Sequence, residues 1–194
     1  MVNCITKGEI KMKKLTSFKM SFMAIAIAIN VIAPFIAMTC RIPIYLNAIG
    51  TNLVAMVMGP VEGVVVGVLG SLLSGAIFDP SSFYYAPVQI FNGLAIAYLY
   101  KKEWIDMKKM FWSMLIVILF VSSSSAIVTV YVYVGITPSA STYIYLLLKE
   151  LGLGPVPAAL VMQGLTDYGN QLFCTGVSLL VMKRMSTSML KKLK

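Results

Sequence analysis

The stretch AIGTNLVAMVMGPVEGVVVGVLGSLLSGAI, residues 48–77, decides how many helices this chain contains. It is thirty residues long, almost wholly apolar, and interrupted in its first half by Gly59-Pro60. Glycine followed by proline is a turn signal, and proline suits the first position of a new helix. The stretch is therefore either one long kinked helix or two short helices, at 48–58 and 61–77.

The composition of the whole chain indicates that lipid is the solvent for much of it. Of the 194 residues, 59% are hydrophobic and 12% are charged, and the mean hydropathy is +0.86. A soluble domain of this size cannot hide so much apolar surface in one core. Other long apolar runs predict membrane helices at 18–39, 84–100, 110–134 and 156–182. The first of these runs is too long for a signal-peptide core and lacks a convincing cleavage site, so we expect it to be retained.

Positive charge discriminates between five spans and six. The chain has 16 Lys and Arg against 7 Asp and Glu, a formal net charge of +9. With six spans, fourteen of the sixteen basic residues share one side with both termini, and only Arg41 and Lys149 lie on the other. The positive-inside rule makes the basic side the cytoplasm. We therefore predict one all-α membrane domain over 1–194, with six transmembrane helices, N-in and C-in termini, and basic cytoplasmic tails at 1–17 and 185–194.

The same observations exclude several classes of function. Topology accounts for the positive charge, with attraction to anionic lipid as a secondary effect, so no nucleic-acid partner is predicted. The chain has no histidine, and Cys4, Cys40 and Cys174 lie far apart, which predicts neither a metal site nor a disulfide framework. Asp167 is isolated from the other acids, so a catalytic carboxylate pair does not assemble readily, and we predict that the protein is not an enzyme.

Polar residues within the predicted spans indicate a binding cavity. Uncompensated polar groups are costly in hydrocarbon and normally face the helix bundle or a cavity. Gln163, Asp167 and Asn170 fall at i, i+4 and i+7 of the last helix, and Gln89 and Asn92 at i, i+3 of the fourth. The outer segments add further candidates: Arg41, Tyr45, Asn47, Tyr84, Tyr85 and Lys149. Together they predict a polar, aromatic concavity at the outer face that captures a small solute.

Each of these groups also has a purely structural interpretation. The serines at 122–125 can bond back to their own helix. Asp167 can clamp two helices together or anchor another subunit. Tyr131 and Tyr133 fit an interfacial aromatic belt, and Lys149 can form a solvated pair with Glu150.

Small residues form a second pattern, at helical spacing in two helices. Gly63, Gly67 and Gly70 allow close approach within the bundle. Ala24 and Ala28 form a similar face on the first helix, at the edge of the chain. That face is a candidate surface for a partner protein.

In their order along the chain, these motifs resemble the substrate-binding S components of energy-coupling-factor (ECF) vitamin transporters. The resemblance covers nearly the whole length. It is carried by AIAIA at 24–28, YLNAIGT at 45–51, GPVEG at 59–63, VGVLGS at 66–71, YYAP at 84–87, QIFNG at 89–93, and a last helix with Asp167 and a Lys183-Arg184 end.

The resemblance implies a multi-pass protein of a prokaryotic cell membrane that binds a vitamin or related micronutrient at the extracellular face. It implies docking on a transmembrane T component, through Ala24 and Ala28, and coupling to two cytoplasmic ATPases. ATP is then used by the partner subunits, and the absence of a Walker A sequence agrees with this. No cofactor is expected in this chain.

The resemblance also implies a ligand site built from Asn47, Tyr85, Gln89, Asn92 and Asp167. Asn47 stands where relatives often have an acidic residue, so the ligand is not identified by analogy. Two other functions stay open at this point: a self-sufficient secondary transporter of a small polar solute, and a membrane-embedded enzyme.

Overall fold

The computed structural model describes residues 16–42, 44–133 and 141–193, and every regular element within them is an α-helix. Most of the predicted amino-terminal tail (1–15), residue 134 of the predicted fifth span, and Lys194 lie outside the described residues. The helices are α1 (Ser17–Thr39), α2 (Ile49–Val57), α3 (Pro60–Ile77), α4 (Ser82–Lys101), α5 (Met110–Tyr131), α6 (Thr142–Glu150), α7 (Pro155–Arg184) and α8 (Thr187–Leu193).

Three of these helices, α1, α3 and α5, are long and apolar enough to cross a membrane. Each exposes large apolar side chains on its outer surface, among them Ile25, Leu69 and Leu119. Such a surface is unfavourable in water and favourable against lipid. The all-α class is confirmed for the described residues, and the chain has the features of a membrane protein.

The break at Gly59-Pro60 separates two helices. Pro60 occupies the first turn of α3, and Gly59 has φ +134°, a backbone conformation that residues with a side chain rarely adopt. The resulting α2 has only 9 residues, eight of which are buried. It packs against α1, α3, α4 and α7 and is therefore the central helix of the bundle.

Glycines permit this close packing around α2. A Cβ atom on Gly50 would lie 2.1 Å from the carbonyl oxygen of Ala26 in α1, and one on Gly63 would lie 2.6 Å from the Cβ of Ala55. Gly70 lies against Asn30 of α1 in the same way. The glycine stripe of α3 is thus used inside the bundle, where small residues allow backbones to approach.

The two ends of the bundle differ in charge. At one end, the break after α2, the last turn of α4 and the loop before α5 line a common cleft that includes Lys101, Glu103, Asp106 and Lys109. The last residue of α8, Leu193, is fully buried at this end against α2. We call this the basic end, since the clusters at 101–109 and 183–192 lie here. Helix α8 thus occupies most of the predicted carboxyl-terminal tail, 185–194.

The opposite end, which we call the open end, is built from residues 40–42 and 44–48, the loop at 78–81 and α6. Helix α6 lies between the predicted spans 110–134 and 156–182, and it packs through Tyr145 on Ala126 of α5 and on Ala158 and Met162 of α7. The bounds of the six predicted helices differ from the observed ones by at most three residues. An apolar cluster of α4, α5 and α7 residues, including Met114, fills the bundle toward the basic end.

Candidate ligand-binding site

A cavity lies among α4, α5 and α7 at the open end, beside the loop that leads into α2. It offers about 90 Å³ to the centres of water-sized molecules. Since one water needs about 10–15 Å³ of such space, the cavity has room for several waters or a compact organic molecule. Its lining is polar and aromatic as well as apolar: Tyr45, Asn47, Ala48, Ser81, Tyr85, Val88, Gln89, Asn92, Val121, Ser125, Ser141, Gln163, Thr166, Asp167, Asn170 and Gln171.

The cavity ends, toward the basic end, on a closed ring of side-chain amides. Asn52 donates to Gln171 Oε1 (3.1 Å), Gln171 donates to Asn92 Oδ1 (2.8 Å), and Asn92 donates back to Asn52 Oδ1 (3.1 Å). The second proton of the Asn52 amide goes to Thr175 Oγ1 at 3.0 Å. All four residues are buried. We call this group the amide floor, and its members satisfy one another across three helices.

One side of the cavity carries Asp167, the single acidic residue among the described residues that line it. Ser122 Oγ of α5 donates to Asp167 Oδ2 at 3.0 Å, and Ser125 is a second hydroxyl partner of the carboxylate. Next to them, Gln163 Nε2 donates to Thr129 Oγ1 at 2.6 Å. Tyr85 Oη lies 2.7 Å from the same Thr129 hydroxyl. We call Tyr85, Ser122, Gln163 and Asp167 the acidic wall.

The four serines at 122–125 of α5 make two kinds of hydrogen bond, two of them within α5 and two to Asp167 of α7. Ser123 and Ser124 donate to the carbonyls of Leu119 and Phe120, one turn earlier. For these two the structural interpretation is correct. Ser122 and Ser125 point to Asp167 instead, because a helix turns the two pairs to different faces.

The loops of the open end hold the other side of the cavity in place. Tyr45 donates its hydroxyl proton to Asp79, which is buried and also accepts from Ser82 Oγ at 2.9 Å. The backbone N–H of Leu46 donates to Asn170 Oδ1 at 2.8 Å. The loop at 44–48 is thereby fastened to the start of α4 and to α7.

Aromatic rings line the approach to the cavity. Tyr133, just beyond α5, stacks parallel to Tyr85 with ring centroids 6.2 Å apart, and Tyr84 meets Tyr133 edge-on at 5.8 Å. Burial, and after it the charge of Asp79, raises the pKa of Tyr133. Its hydroxyl is therefore neutral over the physiological pH range.

A second polar chain connects the cavity with α1. Asn30 Nδ2 donates to Thr51 Oγ1 at 2.8 Å, and Thr51 Oγ1 donates to Gln89 Oε1 in the cavity lining at 3.4 Å. The side-chain oxygen of Asn30, Oδ1, accepts a hydrogen bond from the backbone N–H of Gly50 at 2.7 Å. Asn30 is almost fully buried, and this chain ties α1 to the amino-terminal turn of α2.

The structure brings eight of the eleven predicted ligand residues to this cavity: Tyr45, Asn47, Tyr85, Gln89, Asn92, Gln163, Asp167 and Asn170. Their contact with a ligand stays a prediction. Arg41, Tyr84 and Lys149 are exposed and do not line the cavity. The Lys149 ammonium lies 5.9 Å from the ring centroid of Tyr145 on its own helix.

Several residues that line the cavity are not among the predicted ligand residues. Gln171 follows Asp167 by four residues, so the spacing along α7 was a signal that could have placed it on the same face. Ser81 and Ser141 lie in loops, where no periodicity exists to place them. The role of Asp79 in fastening Tyr45 likewise required the tertiary structure.

The predicted partner surface lies on the outside of α1. Ala24 and Ala28 are exposed, whereas Ala26 between them is 1% exposed and faces the bundle. Within the described parts of the chain, no group of three or more Cys, Asp or Glu side chains is arranged to hold a metal ion.

No protein-family model matches the chain, and no match was found to a curated protein or to a solved structure. The fold and the cavity indicate a helical membrane protein with a small polar cavity at one end of its bundle.

Proposed function

We propose that this protein is the substrate-binding subunit of an ATP-driven importer of the ECF type. It captures a vitamin or a related small micronutrient at the extracellular face. The observation that carries the proposal is a polar and aromatic cavity at the end of the bundle opposite the basic end. The sequence resemblance to S components supports the same assignment.

In the proposed topology, α1, α2, α3, α4, α5 and α7 are the six spans. Helix α2 is too short to cross a bilayer of about 30 Å alone, since 9 residues rise about 13–14 Å. Its burial among four neighbouring helices removes that requirement. The positive-inside rule places the basic end in the cytoplasm, and the cavity then opens to the outside.

The architecture favours capture by a subunit over transport by this chain alone. The amide floor and the apolar cluster around Met114 close the bundle beneath the cavity. A captured solute therefore has no path through the described part of the chain without a large rearrangement. In the proposal, a transmembrane T component docks on the Ala24 and Ala28 face of α1, and two ATPases supply the energy.

Uptake by reconstituted protein tests this function. The compound that copurifies with the protein is identified by mass spectrometry and then used, in labelled form, as the probe. We expect the isolated protein to bind it, and proteoliposomes to accumulate it only when an ECF module with ATP is present. Accumulation by this chain alone would contradict the proposal and favour a self-sufficient secondary transporter, and chemical conversion of the probe would favour an enzyme.

Variants of α1 separate docking from binding. Ala24→Trp and Ala28→Trp place bulk on the proposed docking face, so we expect uptake to fall at least about tenfold while binding by the isolated protein is unchanged. Leu119→Trp is the matched control, because Leu119 is 67% exposed on α5, away from that face. If all three variants transport equally well, the docking face lies elsewhere.

A further inference from the structure

The charged groups around the cavity are all of one sign. Asp167 lines the cavity, and Asp79 is buried beneath its rim, where it holds Tyr45. Among the described residues that line the cavity there is no lysine or arginine. Arg41 and Lys149, the two basic residues among the predicted ligand residues, are exposed outside it.

The described contacts of Asp167 include no positively charged side chain. Its described partners are the hydroxyls of Ser122 and Ser125, which donate hydrogen bonds but carry no positive charge. A carboxylate in a low-dielectric interior is strongly stabilised by a cation and only partly by neutral donors. A cation that enters the cavity would therefore pair with the Asp167 carboxylate, which the hydroxyls of Ser122 and Ser125 hold in place.

The aromatic lining favours the same kind of ligand. The faces of tyrosine rings attract cations, and flat ligands stack on them. Tyr85 lines the cavity that Asp167 enters, and its ring is held by the parallel ring of Tyr133 and by the bond to Thr129. Among the described residues that line the cavity, an anionic ligand would meet the carboxylate of Asp167 and no basic side chain.

We propose that the cavity takes a small, flat organic cation whose protonated nitrogen pairs with the Asp167 carboxylate while its ring packs on Tyr85. This inference rests on the proposed function only in taking the cavity as the ligand site. It restricts the substrate class from small polar solutes in general to those that carry a positive charge.

Three probes of nearly equal shape test the sign of the ligand charge: benzamidinium, benzamide and benzoate. Thermal unfolding of the purified full-length protein in lipid nanodiscs is measured with each probe over a concentration series. We expect benzamidinium to raise the unfolding midpoint at concentrations at least about tenfold lower than benzamide, and benzoate to have no effect. Equal effects, no effect of any probe, or a preference for benzamide or benzoate would overturn the inference.

The substitution Asp167→Asn tests whether Asp167 causes the preference for a cationic probe. The amide keeps the size of the side chain and removes its charge, so the preference for benzamidinium over benzamide should fall to less than about twofold. Glu150→Gln is the matched control, because it makes the same chemical change on an exposed residue of α6. A preference that survives in Asp167→Asn would overturn the role of Asp167. If that variant does not fold, the three-probe comparison on the unmodified protein still decides the ligand charge.

The outcome is independent of the transport assay. A cation preference in a protein whose uptake needs no ECF module would sustain this inference and contradict the proposed function. Uptake of a neutral or anionic compound that depends on the ECF module would support the proposed function and contradict this inference.

Discussion

The amide floor and the acidic wall are both polar and both reached from the same cavity, yet their hydrogen bonding differs. In the floor, Asn52, Asn92 and Gln171 donate to and accept from one another in a closed ring. In the wall, the Asp167 carboxylate is met by neutral hydroxyls alone among its described partners. The comparison teaches that a polar residue inside a membrane helix is not by itself a sign of binding. What distinguishes Asp167 from the floor residues is that no positively charged side chain is among its described partners.

Helix α7 contributes to both regions through one stripe of residues. Gln163, Asp167, Gln171 and Thr175 follow at intervals of four, so they lie on one face along about 18 Å of the helix. Gln163 and Asp167 form hydrogen bonds with hydroxyls of α5. Gln171 and Thr175 form hydrogen bonds with side-chain amides of α2 and α4. The neighbouring helices therefore decide which part of the stripe is structural.

The largest effect on stability is expected from breaking the amide floor with Asn52→Leu. This change leaves the Asn92 N–H and the Gln171 carbonyl buried without their partners, at about 1–3 kcal/mol for each unpaired group. We expect the free energy of unfolding to fall by about 2–6 kcal/mol, measured by denaturant titration in detergent. Ser123→Ala is the control, since it removes only a bond to the Leu119 carbonyl. A loss below about 0.5 kcal/mol would show that the ring is not a structural unit.

Asp167→Asn should sharpen the comparison by affecting binding without affecting the fold. We expect the affinity for the copurifying compound to fall at least about tenfold, or about 1.4 kcal/mol, because its charge-assisted hydrogen bond is lost. The unfolding free energy should stay within about 0.5 kcal/mol of the unmodified protein or rise, since an uncompensated buried charge is removed. Isothermal titration and denaturant unfolding measure the two effects. Destabilisation without loss of affinity would identify Asp167 as a clamp between α5 and α7.

Tyr85→Phe separates the hydroxyl of the acidic wall from its ring. Loss of the 2.7 Å bond to Thr129 should lower the free energy of unfolding by about 1 kcal/mol. The ring stays in place, so the preference for a cationic probe should persist. Tyr84→Phe serves as the control, because Tyr84 is 54% exposed and does not line the cavity. If Tyr85→Phe abolishes the preference, the hydroxyl rather than the ring recognises the ligand.

The smallest effects are expected from Arg41→Ala and Lys149→Ala. Both side chains lie outside the cavity, and exposed charges interact weakly through water. Affinity for the copurifying compound should change less than twofold in either variant, as measured by isothermal titration. A tenfold loss in either would show that a basic residue reaches the ligand when it is bound.

The comparison also shows why the candidate site was only partly predictable. Helical spacing was enough to collect Gln163, Asp167 and Asn170 on one helix, and Gln89 and Asn92 on another. It does not tell whether an amide faces a second amide or an empty space, because that depends on which helices become neighbours. For the same reason, helical spacing predicts Asn92 as a ligand residue but gives no sign that its side-chain amide is hydrogen-bonded within the amide floor.

The sequence by itself determined the features that depend on local chemistry. Apolar run length predicted six of the eight described helices, all but α6 and α8, and Gly59-Pro60 determined where the long stretch divides. Only the tertiary structure decided that Arg41 and Lys149 stay outside the cavity, that Asp79 fastens Tyr45, and that Asn52 closes a ring with Gln171. These contacts join residues 34 to 119 positions apart. No local pattern specifies such pairings, because they arise from the packing of whole helices around the short, buried α2.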